Sequence, residues 1–272
     1  MIPPAHPETL SEMGSNAGRI RRAFRQLRNS PCSWMLFRIL LIMQAVPVIW
    51  NAIVPSGPDK LNQAQQLLGL GKTDFLSGHF WQPLSYSLIH GNWLHLLVNA
   101  ASILLLGSKL EHIVSKTTFW LLSLFAALAG GLLFLPLTYH GGDLPPTLVG
   151  SSAICFAFLV LLTTLSPESK FLPVFLSGRS IGIAIILANL VLALLNPNLP
   201  TGPLAAYGKQ LSENGFVDLF KISHACHLGG SLAGYFYGKW LLRPRVTLKS
   251  LQRARAKKEA MANDPTEKEP VT

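Results

Sequence analysis

Apolar residues gather into long runs, separated by short polar or Pro/Gly-rich stretches. A helix needs about 20 predominantly apolar residues to cross about 30 Å of hydrocarbon. By that measure the pattern predicts six spans, at about 34–54, 86–107, 118–138, 149–166, 178–195 and 223–242. The second and fourth are short or interrupted by polar residues. The breakers between spans are Pro55–Pro58, "HGGDLPP" at 140–146, "SPESK" at 166–170 and a Pro/Gly-rich stretch from Asn196 to about Lys221. The predicted fold class is therefore an all-α polytopic membrane protein.

Composition supports that reading. Hydrophobic residues make up 49 % of the 272-residue chain and charged residues only 13 %, against about a quarter in soluble proteins. The net charge of +10 would suggest a nucleic-acid partner if it were evenly spread. Instead, five arginines lie between Arg19 and Arg28 and nine basic residues follow Gly238. Basic ends on an apolar body predict a membrane protein in contact with the lipid bilayer and no nucleic acid. The turns carrying Lys109, Lys116, Lys170 and Arg179 are basic as well, whereas 55–80, 139–148 and 196–222 are neutral or slightly acidic. Six spans with both termini cytoplasmic satisfy every segment.

The expected organisation is a basic tail at 1–33, a six-helix membrane domain at 34–242 and a charged tail at 243–272. Within the first tail, Ile20, Phe24 and Leu27 fall on one helical face among arginines. That pattern suits an interfacial amphipathic helix and equally a plain basic tail. The last tail reads as a helical start fading into disorder. Cys32, Cys155 and Cys226 form no disulfide pattern, and no cleavable signal segment is visible.

Polar side chains inside a span are expensive, and their default reading is functional. The second span holds His90, His95 and Asn99, the fourth opens with Gly150, Ser151 and Ser152, and the sixth holds His224, His227, Gly230 and Gly234. His95 and Asn99, four apart, share one helix face; the alternative is a plain interhelical hydrogen bond. His90 points elsewhere and suits a structural role towards the preceding loop. Gly230 and Gly234 make a small face that admits a close neighbour, and Gly150, Ser151 and Ala153 offer a matching one. If the faces meet, Ser152 comes within reach of His227. Imidazole is the base a serine hydroxyl needs near neutral pH. His95, Asn99 and the Ser152 N–H would then receive the oxyanion. No aspartate lies in a span, so the arrangement is a Ser–His dyad. Ser151 is expected to be a spacer facing away, and Cys155 a packing thiol.

These residues resemble the rhomboid family of intramembrane serine proteases. The resemblance rests on His90, His95 and Asn99 in a His-x-x-x-x-His-x-x-x-Asn pattern, on Gly150-Ser151-Ser152, on His227-x-x-Gly230-x-x-x-Gly234, and on "LGSKLE" ending at Glu111. It implies a six-transmembrane-helix rhomboid-like bundle. It also implies Ser152 as nucleophile, His227 as general base, His95 and Asn99 as oxyanion stabilisers, and Gly150, His90, Phe156 and Gly230 in support. Transmembrane protein substrates would be cut near the extracytoplasmic side, with no cofactor and no metal. The gate would lie at 196–222 and the start of the sixth span. Departures from the family pattern are Gln82 after Trp81, Ala153 after the serine, Phe156 where a hydroxylated ring is frequent, and Cys226 before the base.

Other readings are an inactive rhomboid-like binder of membrane clients and, less favoured, a transporter lined by the same side chains. A zinc enzyme would want His-Glu-x-x-His, which is absent, and His224, Cys226 and His227 do not share a helical face. An aspartyl enzyme lacks its two carboxylates. The bacterial inner membrane is the expected location, and an Arg-rich start is also compatible with mitochondria or chloroplasts.

Overall fold

The computed structural model describes residues 18, 21, 23–54, 59–137, 147–171, 176–199, 202–244 and 248–262. Ile20, the Pro55–Pro58 breaker, all but Thr147 and Leu148 of the 139–148 loop, and the 263–272 end of the tail lie outside them. The chain divides into two compact units, Met1–Gly238 and Lys239–Thr272. The second unit contains the basic helix Leu248–Ala262, with Arg255 paired to Glu259 one turn on.

The larger unit is a bundle of helices. Its main members are α1 (Pro31–Ile53), α2 (Trp93–Ser102, continued through a π turn to Glu111), α3 (Lys116–Phe134), α4 (Ser152–Leu165), α5 (Gly178–Leu194) and α6 (His224–Leu241). They overlap the six expected runs. Three stretches are long and apolar enough to cross a membrane by length and composition: Pro31–Ile53, Trp93–Glu111 and Lys116–Phe134. Ser152–Leu165 and Gly178–Leu194 are shorter apolar helices.

α4 lies at the centre, with Ala153, Ala157, Phe158, Val160 and Leu161 fully buried. It packs against α2, α3 and α5. On its remaining side α6 comes close because Gly230 faces Ala153 and Gly234 faces Ala157, backbone against backbone. The outer surfaces are apolar instead: Ile42, Val46 and Ile49 on α1, Leu94 and Leu97 on α2, and Ile183 and Leu187 on α5 are all exposed. An apolar exterior around a packed interior suits a lipid surround.

The structure corrects several sequence expectations. The second run does not begin as a helix at 86. Tyr86–Leu88 is a single 3-10 turn, Ile89 is extended, and α2 starts only at Trp93. The cause is Asn92, whose side chain accepts from His95 N at 2.8 Å and so caps the helix there. The stretch expected as a loop at 55–80 contains a helix at Lys60–Leu68, capped by Asp59 through Leu61 N at 2.9 Å. The 196–222 stretch contains a helix at Pro203–Leu211, ended near Gly215 at φ +95°. The all-α expectation also misses a two-residue strand pair, Lys170–Phe171 with Leu176–Ser177.

Two ties fasten opposite ends of the bundle. Leu70 and Leu148 exchange backbone hydrogen bonds at 2.9 Å, holding the segment before α4 to the segment after Lys60–Leu68. At the other end, Glu111 accepts from Cys32 N (2.9 Å), Ser33 N (2.7 Å) and Ser33 Oγ (2.6 Å). A carboxylate here satisfies the unpaired N–H groups of a helix start and complements its dipole.

Candidate active site

The site is built around the first residues of α4. Gly150 has φ +113°, a conformation that L side chains rarely adopt. Its amide donates to Tyr86 O at 2.9 Å. A Cβ on it would lie 2.6 Å from His95 Cε1, 2.7 Å from His95 Nε2 and 3.4 Å from Asn99 Nδ2. Glycine is therefore needed twice, for the turn and for the approach of α2. Both α2 side chains are thereby brought against the backbone two residues before Ser152. Asn99 is buried, and its Nδ2 has no hydrogen-bond partner among the described residues.

Ser152 opens α4. Its Oγ lies 2.8 Å from His227 Nε2, inside the range of a good hydrogen bond. The imidazole is stacked on Phe156, with ring centroids 4.3 Å apart and planes 27° apart. Phe156 lies one helical turn beyond Ser152, so both the serine and the ring that steadies its partner come from one face of α4. The pair opens into a cavity of about 390 Å³ lined by Asn92, His95, Phe134, Leu148, Ile222 and His224, among others. Among the described residues no cluster of His, Cys, Asp and Glu could hold a metal.

One residue earlier the environment reverses. Ser151 is fully buried, and its N–H and Oγ lie 3.3 and 3.2 Å from His90 Nε2. An amide N–H can only donate, so this Nε2 accepts from it. His90 itself is fixed by its N–H to Gln44 Oε1 (3.1 Å) and by Gln65 Nε2 to its carbonyl (2.9 Å). His90 thus has a structural setting, but it lies before α2 and bonds α4 as well as the preceding helix. Ser151, expected as a spacer facing away, turns instead into a buried hydrogen bond.

Of the residues singled out in the sequence, His95, Asn99, Gly150, Ser152, Phe156, His227 and Gly230 converge, and His90 stands behind Ser151. Cys155 is buried with Sγ 3.5 Å from Asn99 O. Cys226 is buried 3.4 Å from Tyr86 Oη, which itself donates to Ala127 O at 2.9 Å. Gln82, one of the departures from the family pattern, is buried and accepts from Gly71 N at 3.2 Å. Sequence reasoning missed Gln44 and Asn189. Asn189 Oδ1 lies 3.2 Å from His224 Nδ1. Both are polar residues within apolar runs, and that alone could have flagged them.

A helical bundle with an apolar exterior, three of whose stretches are long and apolar enough to cross a membrane, has the character of an integral membrane protein, and a Ser–His pair stands at the wall of its cavity. The comparison with protein families is specific: the model described as Rhomboid domain matches residues 77–244, more than half of the chain. The protein belongs to the rhomboid family, whose members are generally intramembrane serine proteases. No curated protein matches the chain.

Proposed function

We propose that the protein is an intramembrane serine endopeptidase that cuts transmembrane segments of other membrane proteins. The observation that carries this reading is the 2.8 Å contact between Ser152 Oγ and His227 Nε2 at the wall of a cavity. His227 takes the Ser152 proton as the oxygen attacks the scissile carbonyl, then delivers it to the leaving amine. The acyl-enzyme is released by a water that His227 deprotonates. With no carboxylate behind the imidazole among the described residues, Phe156 holds the ring in register by stacking.

The carbonyl oxygen becomes an anion in the first step and needs donors already in place. Asn99 Nδ2 is buried without a hydrogen-bond partner among the described residues and is available for that role. His95 stands beside it, and Ser152 N–H lies in the first turn of α4, where amides have no intrahelical partner. Gly150 and Gly230 support the site by letting α2 and α6 approach α4.

The six main helices are proposed as spans with both termini in the cytoplasm and the cavity opening on the extracytoplasmic side, in a bacterial inner membrane. The test is cleavage of a tagged single-span substrate by the reconstituted protein, with the cut site sequenced. Wild type should cut, and Ser152→Ala and His227→Ala should not. Equal turnover by all three would remove the dyad, and no turnover by any would favour a client-binding protein.

A further inference from the structure

Just before α1, the helical residues 21 and 23–28 place Arg21, Arg25 and Arg28 at i, i+4 and i+7, on one face. All three are exposed. With Phe24, Leu27 and Trp34 they line a groove of about 600 Å³. The groove is tied to the bundle: Trp34 Nε1 donates to Leu27 O at 2.8 Å, and the Trp34 ring meets Phe37 edge-on at 5.5 Å. Ser30 Oγ donates to Gln26 O at 2.6 Å and closes the turn between the two helices.

Charge at this end of the bundle is unbalanced. Lys109 and Lys116 flank the turn after α2 and are exposed. Glu111, the carboxylate brought to the same end, has both oxygens occupied by the start of α1. None of the three arginines forms an ion pair among the described residues. With α1 spanning the membrane from Pro31, where the apolar run begins, residues just before it would lie at headgroup depth. Phe24 is 68 % exposed beside the arginines, so an apolar ring and guanidinium forks face outward together. A guanidinium fork matches phosphate oxygens, and an aromatic residue beside it suits the boundary with acyl chains.

We propose that Arg21, Arg25 and Arg28, with Phe24 and Trp34, form a binding site for the phosphate-bearing headgroup of an anionic phospholipid. The proposal rests on α1 spanning a membrane but not on catalysis.

The full chain in uncharged detergent is titrated with phosphatidylglycerol, with phosphatidylcholine or with inorganic phosphate, and thermal unfolding is followed. Phosphatidylglycerol should raise the Tm at concentrations where the other two do not. In the triple variant Arg21→Gln, Arg25→Gln, Arg28→Gln, the midpoint of that response should move to about 10-fold or more higher lipid, since each basic residue near an anionic surface contributes appreciably to its attraction. Replacing the same three positions by Lys should give an intermediate shift. Removing three charges elsewhere, as Arg253→Gln, Lys257→Gln, Lys258→Gln, should leave the midpoint unchanged. The proposal is overturned by a wild-type response in the first variant, by an equal loss in the distal one, or by inorganic phosphate matching the lipid. Detergent dependence of the chain reads the spanning of α1 separately, so the two failures are distinguishable.

Discussion

Two Ser–His pairs sit side by side at the start of α4, and they have opposite surroundings. Ser151 and His90 are sealed in the interior, held by Gln44 and Gln65 from two other helices. Ser152 and His227 meet at a cavity wall, with an aromatic ring stacked on the imidazole. The chemical groups are the same and the distances differ by a few tenths of an ångström. Access to an open cavity separates them, together with the Ser151 amide that occupies the His90 Nε2 lone pair. A Ser–His contact is thus only half of a candidate dyad; the other half is an open space lined with donors.

The widest separation is expected from the serines themselves. Ser152→Ala should lower cleavage by about a thousandfold or more while leaving the Tm within a degree or two. Ser151→Ala should keep most of the activity and lose about 1 kcal/mol of stability, the net worth of a typical hydrogen bond. Denaturant unfolding and substrate cleavage on the same preparations decide it. A Ser151→Ala protein that is stable and inactive would reverse the assignment of the two pairs.

Gly150→Ala should damage both properties at once. Its Cβ meets the His95 ring in a backbone conformation unfavourable to any side chain, and overpacking of this kind costs about 1–3 kcal/mol. Gly91→Ala is the control, because a Cβ there would meet its neighbours only at 3.9 Å. Equal effects of the two would show that the Gly150 approach carries nothing.

His90→Ala should destabilise by about 1–3 kcal/mol through the stranded Ser151 N–H and hydroxyl, with turnover per folded molecule changed far less than by His227→Ala. The smallest effect is expected on the open side. Phe156→Leu removes a ring contact worth about 0.5–1.5 kcal/mol, so kcat should fall by up to about tenfold at unchanged KM. Phe156→Tyr should retain activity, since it keeps the stacked ring.

How much of the molecule was legible in the sequence depended on the range of the signal. Six apolar runs and a glycine-lined helix contact are local or periodic features, and apart from the late start of α2 the runs recur as α1 to α6 within a few residues. The late start of α2 was readable from Asn92, but a capping asparagine is easily passed over inside an apolar stretch. The short helices at Lys60–Leu68 and Pro203–Leu211 were hidden because they are only nine residues long and apolar on one face, whereas the spanning pattern is a long unbroken apolar run. Residues His95, Asn99, Ser152 and His227 stood out as polar groups in apolar surroundings. The pairing of His90 with Ser151 spans 61 positions, and no local pattern distinguishes it from that of Ser152 with His227. The resemblance already singled out Ser152 over Ser151; what it did not show is that Ser151 is buried against His90 while Ser152 stands at a cavity wall.

The shortness of α4 has a consequence for selectivity. Its 14 residues rise about 21 Å at 1.5 Å each, against about 30 Å of hydrocarbon. If its far end meets one face of the bilayer, Ser152 lies about 9 Å beneath the other. At that depth an incoming helix must break its own backbone hydrogen bonds before a carbonyl can reach the serine, and each unsatisfied group costs several kcal/mol in lipid. Under the proposed function, the enzyme would then sort its substrates by how cheaply they unravel, before any side chain is read.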